Sequence, residues 1–184
     1  MKSYLEVKVP IEVNAPWFEE LRKKMDEHHI SVRWQNGFHH ITVVFINEDP
    51  VIESLECVFR ECLEGRVAPT LTFDKVDVFS ISSNRYIVYL TAEHPSNEFM
   101  ALVKDVRDAV RMTGCNFDNN FRLHVTLGRV YDENTGIEDL SSITSSIKVP
   151  SFTLNLTDAR YMEYRFKELA AWTMITDSDS SMRA

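Results

Sequence analysis

Phe38-His39-His40-Ile41-Thr42-Val43-Val44-Phe45-Ile46 and, with its histidine 84 positions after His40, Arg122-Leu123-His124-Val125-Thr126-Leu127-Gly128-Arg129 decide how this chain is read. Each holds His-x-Thr followed by an apolar residue, inside a run rich in β-branched and aromatic side chains that reads as a strand. Side chains alternate across a strand. His40 and Thr42 therefore share one face, with Phe38. Ile41, Val43 and Phe45 take the other, which is expected to pack on helices. In the second run His124, Thr126 and Arg122 share a face, opposite Leu123, Val125 and Leu127. His39 faces away from the His40 side and has no threonine at the matching offset. Arg129 falls on the opposite parity to His124, although Gly128 permits a bulge that would redirect it.

Working outward, Leu5, Val7, Val9, Ile11 and Val13 alternate with Glu6, Lys8 and Glu12, which predicts a strand with one wet face. Asn14 and Pro16 signal a helix start, and Trp17, Phe18, Leu21 and Met25 form its apolar stripe. Gly37 ends the following loop. A second helix is expected over 51–63, closed by Gly65. Strands follow over 70–79 and 85–91, with Ser82-Ser83-Asn84 as their turn. Helices over 99–110 and 135–147 flank the second histidine run, which reads as β from Phe121 to Tyr131. Two last strands are expected over 151–158 and 169–176. The pattern is α+β with antiparallel sheets, in one domain over residues 1–176, followed by a polar, disordered tail at 177–184.

The chain has 184 residues and a formal net charge of −8, which argues against a protein that coats long nucleic acid. It does not argue against one small anion in a local pocket. Residues 121–131 contain Arg122, His124 and Arg129 and no acid, so a locally positive site with a shallow salt dependence is expected. No apolar run is long enough to span a membrane, and the first residues lack the apolar core of a signal peptide. A cytoplasmic monomer is expected. Cys57, Cys62 and Cys115 form no CxxC pair and read as buried free thiols. Neither histidine has carboxylates at ligand spacing, so no metal and no cofactor is expected.

Two imidazoles suit a phosphodiester. Neutral histidine takes the proton of an attacking water, and a charged one protonates the leaving alkoxide. Two threonine hydroxyls can donate to non-bridging oxygens as their charge grows. Which histidine is acid and which is base stays open. Phe38, Trp34 and Tyr86 are candidates for stacking a base. Substrate-selecting elements are expected in the loops 35–37, 80–85 and 118–121. The same cleft without turnover would make a binding module for a nucleotide or an RNA end.

The doubled His-x-Thr-x, with the flanks Phe38 to Phe45 and His124-Val125-Thr126-Leu127-Gly128-Arg129, resembles the 2H phosphoesterase superfamily. The closer likeness is to its 2′-5′ RNA ligase (LigT-like) and cyclic phosphodiesterase branch. It extends from Ser3 to Ile175 by element order. The resemblance implies a bilobal fold of two pseudo-symmetric antiparallel sheets enclosing a cleft, with helices outside. It implies His40 and His124 as the acid–base pair and Thr42 and Thr126 as hydrogen-bond donors that hold the phosphate, and its form includes Arg129; Arg122, on the face of His124 and Thr126, could also reach a bound phosphate. Implied substrates are small nucleotides or RNA ends carrying 2′,3′-cyclic phosphates, 2′-5′ phosphodiesters, or cyclic phosphates of ADP-ribose. Hydrolysis is the expected direction, with ligation as its reverse.

Overall fold

A computed structural model describes residues 2–48 and 51–176; the expected tail at 177–184 lies outside them. The order is β1 (Ser3–Lys8), α1 (Pro16–Glu27), β2 (Val32–Trp34), β3 (His40–Ile46), α2 (Ile52–Leu63), β4 (Thr70–Phe73), β5 (Lys75–Ser82), β6 (Arg85–Thr91), α3 (Asn97–Met112), β7 (Val125–Tyr131), α4 (Ile137–Ser146), β8 (Phe152–Asn155), β9 (Asp158–Glu163) and β10 (Lys167–Thr173). One four-stranded sheet runs β10-β9-β1-β3 and a second β2-β7-β6-β5, while β4 and β8 form a separate ribbon. All these pairings are antiparallel. Helices α2 and α3 pack on the first sheet, α4 packs on β5 of the second, and α1 packs on α4. Among the described residues no helix is long and apolar enough to cross a membrane.

The helices follow their apolar spacing. Pro16 opens α1, where its missing N–H costs nothing. The cap residue is Ala15, so Asn14 does not act as the cap. Trp17, Phe18, Leu21 and Met25 are buried along one side. Ser96 caps α3 by accepting from the Phe99 amide at 3.2 Å while its hydroxyl donates to the Thr70 carbonyl at 2.6 Å. Gly65 and Gly114 sit at positive φ just past α2 and α3, and Gly37 does so in the loop between β2 and β3.

Several expectations change. The alternation from Leu5 to Val13 stops being a strand at Lys8, and its supposed wet face carries Glu6, which is 1% exposed. The run 70–79 is two strands in different sheets, because its buried apolar positions step from Leu71 and Phe73 to Val76 and Val78 across Asp74. Short β2 and all of β9 beyond Asp158 are additional strands. Cys57 is exposed, and Cys62 and Cys115 are only partly buried.

Both histidine strands carry a bulge just after their threonine. In the first sheet Leu5 pairs with Val44 and Glu6 with Thr42, leaving Val43 over. In the second, Val88 pairs with Gly128 and Tyr89 with Thr126, leaving Leu127 over. Two successive residues then face the helices: Val43 with Val44, and Leu127 with Gly128, all buried. Everything beyond the bulge changes face. Phe45 and Arg129 thus turn to the histidine side, opposite to what unbroken alternation predicts for Phe45. At Gly128 an added Cβ would lie 2.5 Å from Val32 Cγ1 and 2.9 Å from Trp34 Cε3, so only glycine lets β2 lie against β7 there.

The first bulge is held from outside its sheet. Arg107 of α3 donates to the Val43 carbonyl at 3.1 Å, and also to Asp118 Oδ2 at 2.9 Å and the Asp118 carbonyl at 2.6 Å. Asp118 Oδ1 accepts from the Phe45 amide at 2.7 Å. The backbone groups around the bulge that face no β1 partner are satisfied, as buried polar groups require.

Candidate active site

The two histidine strands meet at a cleft of about 440 Å³ whose walls include His40, Thr42, Phe45 and Arg129. Strand β3 supplies the first three and β7 supplies Arg129, with Thr126 on the same strand across the bulge. His124 stands immediately before β7. It lies close enough to His40 and Arg129 for both charges to act on it. Thr42 and Thr126 are half-buried, and among the described residues neither hydroxyl has a hydrogen-bond partner, so both are available as donors.

The histidines are oriented differently. His40 Nδ1 lies 3.1 Å from Glu6 Oε2 and 3.5 Å from the Phe38 carbonyl. Glu6 stands opposite Thr42 on β1, and Arg160 stands opposite Glu6 on β9. Arg160 donates to Glu6 Oε1 through Nε at 2.8 Å and again through Nη2. This carboxylate fixes the His40 ring with Nδ1 as donor, leaving Nε2 for the cleft. His124 Nδ1 instead donates to the Arg122 carbonyl at 2.9 Å. Phe79 and Tyr89 meet the His124 ring edge-on at centroid distances of 5.4 and 6.1 Å.

Position by position, the second sheet mirrors the first with the chemistry changed. Tyr89 stands opposite Thr126 where Glu6 stands opposite Thr42, and Asp77 takes the place of Arg160. Burial therefore dominates at His124 and lowers its pKa below the usual 6.5. The charges of Arg122, His40 and Arg129 act in the same direction, and the Arg122 carbonyl works against them. Tyr4 stacks near His40 and Phe45, and its pKa is pushed up to about 12 by burial and by Glu6, so it stays a neutral phenol.

His40, Thr42 and Arg129 line the cleft, and His124, with Thr126 two residues on, stands near His40 and Arg129 outside that lining. Arg122 lies beside His124 but stacks its guanidinium 4.1 Å over Phe79. The three stacking candidates fare differently. Tyr86 is 8% exposed and belongs to the helix-side core, because β6 turns Tyr89, not Tyr86, toward the cleft. Trp34 packs edge-on against Phe18 of α1, again on the core side. Phe38 is exposed, with Lys8 Nζ at 4.1 Å and Arg160 Cζ at 5.1 Å from its ring centre, and it lines a neighbouring depression with His39. His39 is 6% exposed and points away from the cleft, as alternation predicts. Its Nε2 has no hydrogen-bond partner among the described residues.

Alternation missed Glu6, Arg160, Phe79 and Tyr89, since a lone charge or ring on a strand does not announce its neighbour. It also missed Arg33 on β2 and the β9–β10 turn, Tyr164, Arg165 and Phe166, all of which line the cleft. Of the expected selecting loops, 35–37 contributes Gln35 to the cleft, while Asp118 holds the bulge. Among the described residues no three His, Cys, Asp or Glu side chains converge as metal ligands.

Comparison with solved structures returns this fold. E. coli LigT complexed with 3′-AMP superposes with TM-score 0.59 at 17% identity, over 94% of this chain and 96% of that one. Kluyveromyces marxianus Usb1 superposes with TM-score 0.63 at 10% identity, over 94% and 98%. TT0787 of Thermus thermophilus superposes with TM-score 0.62 at 15% identity, over 96% and 100%. Comparison with curated proteins by sequence gives no match. The profile of the 2′-5′ RNA ligase superfamily matches residues 10–165, a span that contains both histidine strands and the bulges behind their threonines. The chain belongs to the 2′-5′ RNA ligase superfamily of 2H phosphoesterases.

Proposed function

We propose that this protein is a metal-independent phosphodiesterase that opens 2′,3′-cyclic phosphates or cleaves 2′-5′ phosphodiesters at small nucleotides or RNA ends. The observation that carries the reading is the unequal setting of two histidines close enough for the charge of one to act on the other. His124, held toward the neutral form by burial, is the general base. Its Nε2 takes a proton from water as the water oxygen attacks phosphorus. His40, with an anionic partner at Nδ1, is the general acid. Its Nε2–H goes to the ribose oxygen as the phosphorus–oxygen bond breaks. Each histidine returns to its starting state by exchange with solvent. Thr42, Thr126 and Arg129 serve the non-bridging oxygens, where donors already in place lower the barrier. Each acid–base group contributes about 10²–10⁴-fold.

Hydrolysis of a 2′,3′-cyclic nucleotide in EDTA tests this. Activity should persist with chelator and be lost in His40→Ala and in His124→Ala. Full activity in both variants overturns the assignment. Tight nucleotide binding by the unaltered protein with no product would instead make the cleft a binding site.

A further inference from the structure

Three arginines, Arg33, Arg129 and Arg165, line the cleft, and among the described residues no Asp or Glu does. Among the described residues Arg33 and Arg165 have no hydrogen-bond or ion-pair partner, and Arg129 has only Gln35 Oε1 at 3.4 Å. Arg33 and Arg129 stand directly opposite each other on neighbouring antiparallel strands. Like charges in that position repel. Arg165 and Phe166 form the tip of the β9–β10 turn with φ of 83° and 75°, backbone that non-glycine residues adopt only under constraint. The chain thus carries charge repulsion and backbone strain at one end of one cleft, in a protein whose net charge is −8.

A cyclic phosphate or a phosphodiester carries a single negative charge. Arg129 alone already matches it, and an imidazolium at His40 has the Glu6 carboxylate as its partner. Two further guanidiniums would face that substrate unpaired. Resting on the phosphodiesterase reading above, we infer that Arg33 and Arg165 hold a second phosphate, so that the preferred substrate is a nucleotide with a phosphate beyond the scissile one. Guanidinium forks suit that group in particular. Tyr164 and Phe166 stand exposed at the same wall, where they offer ring faces to the attached nucleoside.

The experiment compares three substrates: adenosine 2′,3′-cyclic phosphate, the same compound with a 5′-phosphate, and a dinucleotide ending in a 2′,3′-cyclic phosphate. The last two separate a 5′-phosphate from an internucleotide phosphodiester as the second group. At least one should exceed the first in kcat/KM by about tenfold or more, the worth of one charge-assisted contact. That ratio should fall toward one in Arg33→Gln and in Arg165→Gln. A ratio near one in the unaltered protein, or one unchanged in both variants, overturns the inference. If no substrate is turned over, the phosphodiesterase reading fails, and calorimetric binding decides this point alone. Adenosine 3′,5′-bisphosphate should then bind tighter than adenosine 3′-monophosphate, with the gain lost in both variants, and equal affinities overturn it. Arg165→Gly should melt no lower than the unaltered protein, since glycine accepts that φ, while losing the preference. A glycine variant with the full preference removes Arg165 from the site.

Discussion

Glu6→Gln changes almost no volume and tests how the first histidine is held. Three N–H donors converge on this carboxylate: Arg160 Nε at 2.8 Å, Arg160 Nη2 and His40 Nδ1 at 3.1 Å. A glutamine has one acceptor and an NH2 group. Either orientation of the amide sets that NH2 against a donor. Removing one partner of a buried ion pair costs about 3–5 kcal/mol. Here the loss is smaller. Arg160 is 16% exposed and has Glu168 at 3.9 Å as a second, weak partner, so it partly rehydrates. About 2–3 kcal/mol is expected, which for a chain of this size lowers Tm by about 4–12 °C. If the NH2 faces His40, Nδ1 becomes the acceptor and the ring is neutral with its proton on Nε2. The acid is then lost, and kcat should fall by about 10²-fold or more. Circular dichroism melts and kcat on a 2′,3′-cyclic nucleotide read the two effects separately. Adding Arg160→Met removes the stranded charge, so the double variant should regain stability but not kcat. A Glu6→Gln protein with unaltered Tm and kcat would refute the reasoning.

Four further outcomes are expected. Gly128→Ala places a Cβ where Val32 Cγ1 would be 2.5 Å away, so it should cost about 1–3 kcal/mol in chemical denaturation. It should also weaken substrate binding, because β2 carries Arg33. Asp118→Ala leaves the Phe45 amide without its acceptor and the nearly buried Arg107 with only backbone carbonyls and no counter-charge, and should cost about 2–3 kcal/mol by the same assay. Because burial lowers the His124 pKa, the acidic limb of kcat/KM should lie below pH 6.5. Arg122→Met removes a repelling charge and should move that limb upward, and a limb at or above 6.5 in the unaltered protein would contradict the assignment of base. His39 is also shifted down, by burial and by the His40 charge. Unfolded chains bind protons at these histidines before the folded protein does. Stability should therefore fall as pH drops below about 6.5 and continue falling to the folded-state values, and His39→Leu should make that fall shallower in urea titrations.

What could be read from the chain alone was local. The spacing of Trp17, Phe18, Leu21 and Met25 sets a helix because 3.6 residues make a turn whatever lies beside it. The two-residue alternation sets His40 with Thr42 and His124 with Thr126, because those pairs precede the bulges. Past the threonines the reading of Phe45 failed, since a bulge depends on which neighbour strand pairs and in what register. Gly128 pointed to one bulge, whereas nothing at Val43 pointed to the other, which is held by Arg107 and Asp118 from elsewhere in the chain. Glu6 shows the same boundary. As a lone charge between Leu5 and Val7 it looks solvated, and it is buried because β9 brings Arg160 across from it. The chain by itself determined the helices, the α+β class and the two histidine–threonine faces. Tertiary structure decided the difference between the two histidines, and brought β2 and the β9–β10 turn to the cleft with Arg33 and Arg165. Those outcomes depend on contacts between segments far apart in sequence, and no local period encodes them.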